Sequence, residues 1–267
     1  MAVDPTYYFS YTPVNIAPEV IASVFLILTA TTLVQTIKSR APLWLLILPA
    51  TALSEALGYA FRTVCIYWTT LGTFTAMSLL LLLPPNALAL TNYKTLGLVA
   101  QKSNLQGPVI FIMRPKFITW FFFISDVFSF VLQGLGVAIS TKEGKRDLAK
   151  YTVLAGLFIQ LVFFAAFFFI AVKLYRDPQY TVQRGPRDLD RVGAKKRLFR
   201  VILGTTVLLY IRGIYRVAEF VGGYGSKVYG TEWLFYLFDT SNVLVCFAIY
   251  IESFIGYHFQ RRRSNKH

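Results

Sequence analysis

Seven apolar runs, each about as long as a membrane-spanning helix, constrain the fold more than any other feature of this sequence. About 20 consecutive apolar residues cross the roughly 30 Å of bilayer hydrocarbon as a helix, and only helices and closed barrels satisfy their backbone hydrogen bonds there. The runs cover residues 18–37, 43–64, 72–94, 117–139, 151–173, 198–220 and 232–256. Only 15% of the residues are charged, against about 25% in a soluble domain. The sequence therefore predicts an all-α, polytopic membrane protein with seven transmembrane helices.

The distribution of Lys and Arg predicts the orientation of these helices. With the N-terminus outside, nineteen of the 27 Lys and Arg residues fall in cytosolic segments and five in outer segments, and basic residues favour the cytosolic side. We therefore expect an extracellular N-terminus (1–17), a seven-helix transmembrane domain (18–256) and a basic cytosolic tail (257–267). Short basic loops beside anionic lipid explain the net charge of +14, so no nucleic-acid partner is expected.

Ionisable residues inside the sixth run give the first indication of function. Arg212, Arg216 and Glu219 are four and three residues apart, so they project from one face of a helix. An arginine near the bilayer centre costs roughly 2.5 to 3.5 kcal/mol. That face must therefore look into the protein or into a water-filled cavity, and other helices must supply opposite charges.

Three further runs carry polar residues along one face of a helix. These are Glu55, Tyr59 and Arg62 in the second run, Asp126 and Gln133 in the fourth, and Asp239 and Asn242 in the seventh. Because the groups lie at similar depths, we expect them to converge on one shared pocket as a substrate-binding site or charge network. Four acids face three arginines in this set, and an unpaired buried carboxylate would allow proton coupling. The alternative is a static polar network that only fixes helix packing.

The sequence Pro84-Pro85-Asn86 lies near the middle of the third run. Proline lacks a backbone donor and clashes with the preceding turn, so the helix is predicted to kink or break there. The freed carbonyl groups need other partners. Such a helix either lines a cavity or forms a packed structural kink.

Motifs for several kinds of chemistry are missing from the sequence. There is no Gly-x-x-x-x-Gly-Lys-Ser/Thr sequence of a P-loop and no Gly-x-Ser-x-Gly nucleophile elbow. The two histidines are His258 and His267, which cannot form a zinc or haem site within the membrane. We therefore expect a protein that is not an enzyme and that has no metal and no cofactor.

Four segments share their spacing with one known family. They are Glu55-x-x-Gly58-Tyr59-x-x-Arg62, Asp126-x-x-Ser129-x-x-x-Gln133-Gly134, Arg212-x-x-Tyr215-Arg216-x-x-Glu219, and Glu232 followed by Tyr236-x-x-Asp239. Together they resemble the fungal lipid-translocating exporter family, the RTA-like proteins, from about Tyr11 into the seventh run. The resemblance implies a seven-helix fungal protein that moves or resists amphiphiles such as sphingoid long-chain bases, sterol-like toxins or porphyrins.

These observations lead us to expect a plasma-membrane transporter or exporter of an amphiphilic, lipid-like molecule. It would contribute to toxin resistance or lipid asymmetry, with membrane lipids and the amphiphile as its partners. The buried acids, together with Tyr215 and the other polar residues, would receive a cationic head group, and the arginines would hold the acids in place. The alternative is a seven-span receptor or stress sensor whose basic cytosolic loop (173–200) engages a partner protein that the sequence does not identify.

Overall fold

Every regular element in the described part of the chain is helical. The structure is a computed structural model and describes residues 14, 16–102, 115–140, 145–177, 191–222 and 230–258. The helices are α1 (Ile16–Lys38), α2 (Ile47–Tyr67), α3 (Leu71–Lys102), α4 (Pro115–Ser140), α5 (Arg146–Arg176), α6 (Arg191–Gly222) and α7. Helix α7 consists of three consecutive segments, Glu232–Phe235, a π-helical turn Tyr236–Thr240, and Ser241–Glu252. A 3-10 turn, Leu43–Leu46, leads into α2, and a second one, Ile255–His258, follows α7.

The predicted fold class is confirmed. Within the described ranges, seven helices are long and apolar enough to cross a membrane. Several helices extend beyond the apolar runs, since α3 continues to Lys102 and α6 begins at Arg191. These extensions carry charged residues, so the apolar pattern alone did not mark them. The outer orientation of the N-terminus stays a prediction, and most of the predicted extracellular segment and basic tail lies outside the described residues.

The helices pack in chain order and form a closed ring. Each helix contacts the next one, α7 returns to α1, and α3 also contacts α5 and α6. Helices α4 and α5 approach each other closely, since a Cβ atom on Gly136 would lie 2.3 Å from Val153 Cγ2 and one on Gly156 would lie 2.8 Å from the Ser129 carbonyl oxygen. Small residues permit such backbone contact between membrane helices. Large apolar side chains point outward all around the ring, as lipid contact requires.

Helix α3 runs without interruption through Pro84 and Pro85, so the predicted break does not occur. The two prolines leave the carbonyl groups of Leu80 and Leu81 without their helical N–H donors, which would come from four residues later. Side chains of neighbouring helices replace those donors. Ser54 Oγ of α2 donates to the Leu80 oxygen at 3.1 Å, and Arg212 Nη2 of α6 donates to the Leu81 oxygen at 3.2 Å. The proline pair is thus a packed feature that binds α2 and α6 to α3.

Candidate functional site

The polar residues predicted to share one pocket form separate groups in the structure. Glu55, Arg212, Arg216, Glu219 and Asp239 lie together between α2, α6 and α7, and we call them the ion network. Asp126 and Gln133 do not belong to it, because α4 packs on α3 and α5. The expectation of a single pocket is therefore wrong for α4. The reason is that equal depth places two groups at one level of the membrane, whereas the position of each helix in the ring decides which groups can meet.

Arg216 forms the strongest contacts of the ion network. Its Nε and Nη2 atoms donate to Asp239 Oδ1 and Oδ2 at 2.9 and 3.0 Å, and its Nη1 atom donates to Glu219 Oε2 at 3.1 Å. The two-point contact with Asp239 matches the planar fork of a guanidinium to a carboxylate. All three residues are largely buried, so removing one partner would leave an uncompensated charge in a medium of low dielectric constant.

Arg212 also lies beside Asp239, but its Nε atom forms an ion pair without a hydrogen bond. Arg212 Nε lies 2.9 Å from Asp239 Oδ1, but its N–H does not point at that oxygen in hydrogen-bonding geometry. One of its other nitrogen atoms donates to the Leu81 carbonyl group. Buried Glu55 lies within electrostatic range of Arg212, Arg216 and Asp239. Arg212 therefore has two carboxylates and one backbone carbonyl group as its surroundings.

A π-helical turn in α7 places Asp239 toward α6. The turn covers Tyr236–Thr240, and such turns often occur at functional sites. Its neighbour Thr240 shares a hydrogen bond with the Tyr59 hydroxyl of α2, and Tyr215 of α6 stacks on Phe238 with 5.4 Å between ring centroids. Asn242 instead donates to the Phe238 carbonyl oxygen of its own helix at 2.5 Å, so in this structure it satisfies the backbone beside the turn.

Arg62 forms a separate ion pair with Glu232, which was not among the four acids counted in the sequence. Its Nη2 atom lies 3.0 Å from Glu232 Oε1 at the start of α7, and its guanidinium carbon lies 4.7 Å from the Phe235 ring centroid. Glu232 also accepts from the Tyr236 hydroxyl at 3.0 Å and from the Val14 backbone N–H at 2.8 Å. Glu232 appeared in the family motif, but it stands at the first position of the seventh run and was not counted among the buried acids.

Three amide side chains connect α3, α4 and α5. Gln133 Nε2 donates to Gln160 Oε1 at 2.9 Å, and Gln160 Nε2 donates to Asn86 Oδ1 at 2.7 Å. We call these residues the amide chain. Gln160 was missed in the sequence, although a single amide within the long apolar fifth run is itself a signal, because an amide in hydrocarbon must find a partner.

A second missed cluster joins α3, α6 and α7. Asn92 Nδ2 donates to the Thr205 and Thr206 hydroxyl oxygens at 2.9 and 3.2 Å, and the Tyr250 hydroxyl donates to Asn92 Oδ1 at 2.7 Å. These groups are buried and satisfy one another. They have the properties of a packing contact, which fixes α3 against the two helices that carry most of the ion network.

Asp126 lines a cleft between α2, α3 and α4. The cleft has a volume of about 290 Å³, and apart from Asp126, Asn86 and Thr51 its walls are apolar. We call it the Asp126 cleft. Among the described residues, neither carboxylate oxygen of Asp126 has a hydrogen-bond partner. The Tyr93 hydroxyl lies close to Asp126 but outside hydrogen-bonding geometry.

The described residues therefore offer two polar centres of different chemistry. In the ion network three carboxyl groups face two guanidinium groups, whereas no Lys or Arg is among the residues that line the Asp126 cleft. No group of three or more His, Cys, Asp or Glu residues is placed to hold a metal ion in the part of the chain that the structure describes. The arrangement can bind a polar group within an apolar surface and can exchange ion-pair partners between helices.

Comparison with known proteins gives one family. The family described as RTA1 like protein matches residues 48–262. Protein RTA1 of Saccharomyces cerevisiae is 32% identical over 202 residues, which cover 75% of this chain and 62% of that protein. Protoporphyrin uptake protein 1 of the same yeast is 30% identical over 207 residues, covering 76% of this chain and 66% of the relative.

A more distant relative is the probable lipid transporter atnI of Emericella nidulans, 25% identical over 134 residues, which cover 46% of this chain and 35% of that protein. The chain thus spans less than two thirds of the length of each of these relatives. No solved structure matches the chain.

Proposed function

This chain belongs to the family of RTA1-like membrane proteins, and we propose that it transports an amphiphilic, lipid-like molecule across the plasma membrane. The names of two relatives, one for protoporphyrin uptake and one for lipid transport, support this proposal. Porphyrins and lipids share an apolar body and a polar group, so amphiphilic character is the property that we carry over. In this proposal the chain moves its substrate without a chemical step, and its activity contributes to toxin resistance or lipid asymmetry.

The observation that carries the proposal is the shared use of Asp239 by two arginines. Arg216 Nε and Arg212 Nε both lie 2.9 Å from Asp239 Oδ1, and Glu55 of α2 offers a second carboxylate within electrostatic range. A small shift of α6 against α2 would transfer Arg212 from one carboxylate to the other. A transporter needs two helix arrangements of similar energy, and an exchange of ion-pair partners would supply them while Asp239 keeps its contact with Arg216.

A purely structural role is a weaker account of the same residues. Buried ion pairs contribute little net stability compared with apolar residues of the same volume, because the charges lose their hydration. A bundle that only needed to pack would therefore gain little stability from five ionisable groups at membrane depth. The π-helical turn that carries Asp239 also interrupts the regular hydrogen bonding of α7, as is frequent at functional sites.

A lipid-flipping assay tests the proposal. Purified protein is reconstituted into liposomes with a fluorescent amphiphile in both leaflets, and dithionite then bleaches the probe in the outer leaflet. We expect the wild-type protein to bring inner-leaflet probe into reach of dithionite and the D239N variant to lose most of that activity. The D147N variant should behave as the wild type, because Asp147 lies exposed in the first turn of α5.

Flux by the D239N protein at the wild-type rate would contradict the role of the ion network. If the folded wild-type protein moves no lipid and no porphyrin, the transport proposal fails. The receptor or sensor reading would then be preferred, since a receptor needs the same two arrangements but moves nothing.

A further inference from the structure

We propose that the ends of α5 and α6 form a binding site for an anionic phospholipid whose head group carries a phosphomonoester, as in phosphatidylinositol 4-phosphate. We call this surface the basic platform. It consists of five cationic residues, Lys173 and Arg176 of α5 and Lys196, Arg197 and Arg200 of α6. The lipid would be bound there and not moved across the membrane, so the inference goes beyond the proposed function and does not depend on it.

The cations of the basic platform have no counter-ions within the protein. All five are exposed, and none of them forms an ion pair in the described part of the chain. Asp177 is the single acid on these two helix ends among the described residues. The segment that connects the helices, residues 178–190, contains two arginines and two aspartates, so it adds no net charge. The platform therefore carries a positive charge that the chain does not neutralise.

The spacing of the cations makes this charge costly for the helices. Lys196 and Arg200 are four residues apart, and Arg197 and Arg200 are three apart. Like charges at these spacings lie side by side on a helix and destabilise it. An anion bound between them would remove that repulsion.

Packing between the two helix ends holds the two rows of cations next to each other. The Tyr175 ring of α5 lies 5.4 Å from the Phe199 ring of α6, measured between centroids. Lys195 Nζ lies 5.9 Å from the Phe199 ring centroid and donates to the Asp177 carbonyl oxygen at 2.7 Å. These contacts join the last turn of α5 to the first turns of α6. The platform is therefore a surface formed by two helices whose relative position is fixed.

The cationic face of α6 continues into a surface that faces lipid. Val207, Ile211 and Ile214 follow Arg200 at steps of seven, four and three residues, so they lie on the same face of the helix, and they are 42%, 40% and 50% exposed. At a rise of 1.5 Å per residue, Val207 lies about 10 Å further along the helix than Arg200. Arg200 thus lies at the level of the head groups, directly in line with side chains that contact acyl chains.

The cationic face of α5 has the same arrangement. Phe158, Val162 and Phe169 are exposed, and Lys173 and Arg176 continue their face at steps of four and three residues. Each helix thus offers an apolar surface for a chain and cations for a head group. This continuity favours a membrane lipid over a soluble acidic partner, which would use the cations alone.

The chemistry of the platform indicates the kind of head group. Three of its five cations are arginines, whose planar guanidinium groups can bind phosphate through two parallel hydrogen bonds. A phosphomonoester carries a charge of about −1.5 to −2 and three acceptor oxygens, whereas phosphatidylserine has a net charge of about −1 and a phosphodiester. Clusters of roughly four to eight Lys and Arg beside a membrane helix recognise anionic lipids of this kind. The distribution of Lys and Arg predicts that this end of the bundle is cytosolic, the side on which such lipids are concentrated.

Native mass spectrometry tests the proposal because it counts the lipids that stay bound to the protein. Purified protein in detergent micelles is mixed with phosphatidylinositol 4-phosphate, phosphatidylinositol or phosphatidylserine of the same chain composition, and soluble inositol 1,4-bisphosphate serves as the competing free head group. We expect phosphatidylinositol 4-phosphate to bind most tightly and the free head group at equal concentration not to displace it. Binding should weaken as the ammonium acetate concentration rises, because salt screens exposed charges.

Two variants remove cations from different helices of the platform. R197Q/R200Q should weaken binding of phosphatidylinositol 4-phosphate by at least about tenfold, since each cation near an anionic surface contributes roughly a factor of five. K173Q/R176Q should have the same effect through α5. All four residues are exposed, so both variants should fold, as size exclusion and thermal melting would show. If one variant does not fold, the other decides.

The matched control is K38Q/R40Q. It also removes two exposed cations at the same end of the bundle, but on the side of α1, which packs on α2 and α7. We expect it to keep the wild-type affinity, which would separate a defined site from the general effect of net charge.

Four results would overturn the assignment. These are wild-type affinity in the folded platform variants, equal weakening by K38Q/R40Q, equal binding of phosphatidylserine, and displacement of the lipid by the free head group. The last result would mean that the site takes a soluble phosphate. None of these measurements requires flux, so a failure of the transport proposal would leave them unaffected.

Discussion

Replacing Ser54 with alanine should destabilise the bundle because it removes the donor that serves a proline-freed carbonyl group. Ser54 Oγ donates to the Leu80 oxygen at 3.1 Å, and Pro84 cannot supply the N–H that would normally do so. An unsatisfied buried acceptor costs about 1 to 3 kcal/mol, whereas hydrogen bonds between membrane helices average about 0.6 kcal/mol in double-mutant cycles. We therefore expect S54A to lower the free energy of unfolding by about 1 kcal/mol.

The P84A variant turns this expectation into a specific test. Alanine at position 84 restores a backbone N–H within reach of the Leu80 oxygen, so the Ser54 hydroxyl is no longer needed. The cost of S54A should then fall to near zero in the P84A background, and the coupling energy of the cycle should be about 1 kcal/mol. S23A is the matched control, because Ser23 Oγ donates to the Glu19 oxygen at 2.9 Å in a helix where that carbonyl group already has its backbone donor.

Unfolding of the purified protein in mixed micelles by increasing denaturing detergent gives these free energies. The four proteins of the cycle are measured under one lipid and detergent composition. Additive effects of S54A and P84A would refute the reasoning, since they would mean that the Ser54 hydroxyl contributes something other than a replacement donor. An S23A cost as large as that of S54A would refute it as well.

Two other stability predictions follow from the packing and the ion network, both measured by the same unfolding assay. R216M should cost about 3 to 5 kcal/mol because it leaves buried Asp239 without its two-point partner, and the double variant R216M/D239L should recover part of that loss. G156A should cost about 1 to 3 kcal/mol, because its new Cβ atom would lie 2.8 Å from the Ser129 carbonyl oxygen. G193A is its control, since a Cβ atom there meets nothing within 4 Å. Equal costs for G156A and G193A would contradict the proposed close contact of α4 and α5.

The sequence predicted the fold well because membrane spans depend on composition over long stretches. Apolar content over 20 residues decides whether a helix enters the bilayer, and no tertiary contact can reverse it. The helix ends were harder to predict, as at Arg191 and Lys102, because a helix continues into the polar headgroup layer where hydropathy no longer distinguishes it from a loop. Residue spacing and position within a run were also enough to predict on which face of a helix a charge lies and at which depth in the membrane.

Partner choice could not be predicted from the same information. Arg62 was assigned to a cluster of four helices, yet it pairs with Glu232, and no arginine is among the described residues that line the cleft beside Asp126. A helix in this ring contacts two to four others, so each charge can meet only the groups on those helices. Hydropathy and spacing contain no information about which helices become neighbours. The missed amide of Gln160 shows the opposite case, in which the signal was present as one polar residue in an apolar run.

The proline pair explains why counting acids and bases was a poor guide to the site. Two freed carbonyl groups in α3 behave as additional acceptors, and one of them takes a donor from Arg212. The positive charge of Arg212 is therefore divided between the Leu81 carbonyl dipole and the carboxylate of Asp239. Five residues further along α3, Asn86 lines the Asp126 cleft and accepts from Gln160. One short segment of α3 thus contacts both the ion network and the cleft, and its backbone adds a carbonyl dipole to the surroundings of Arg212.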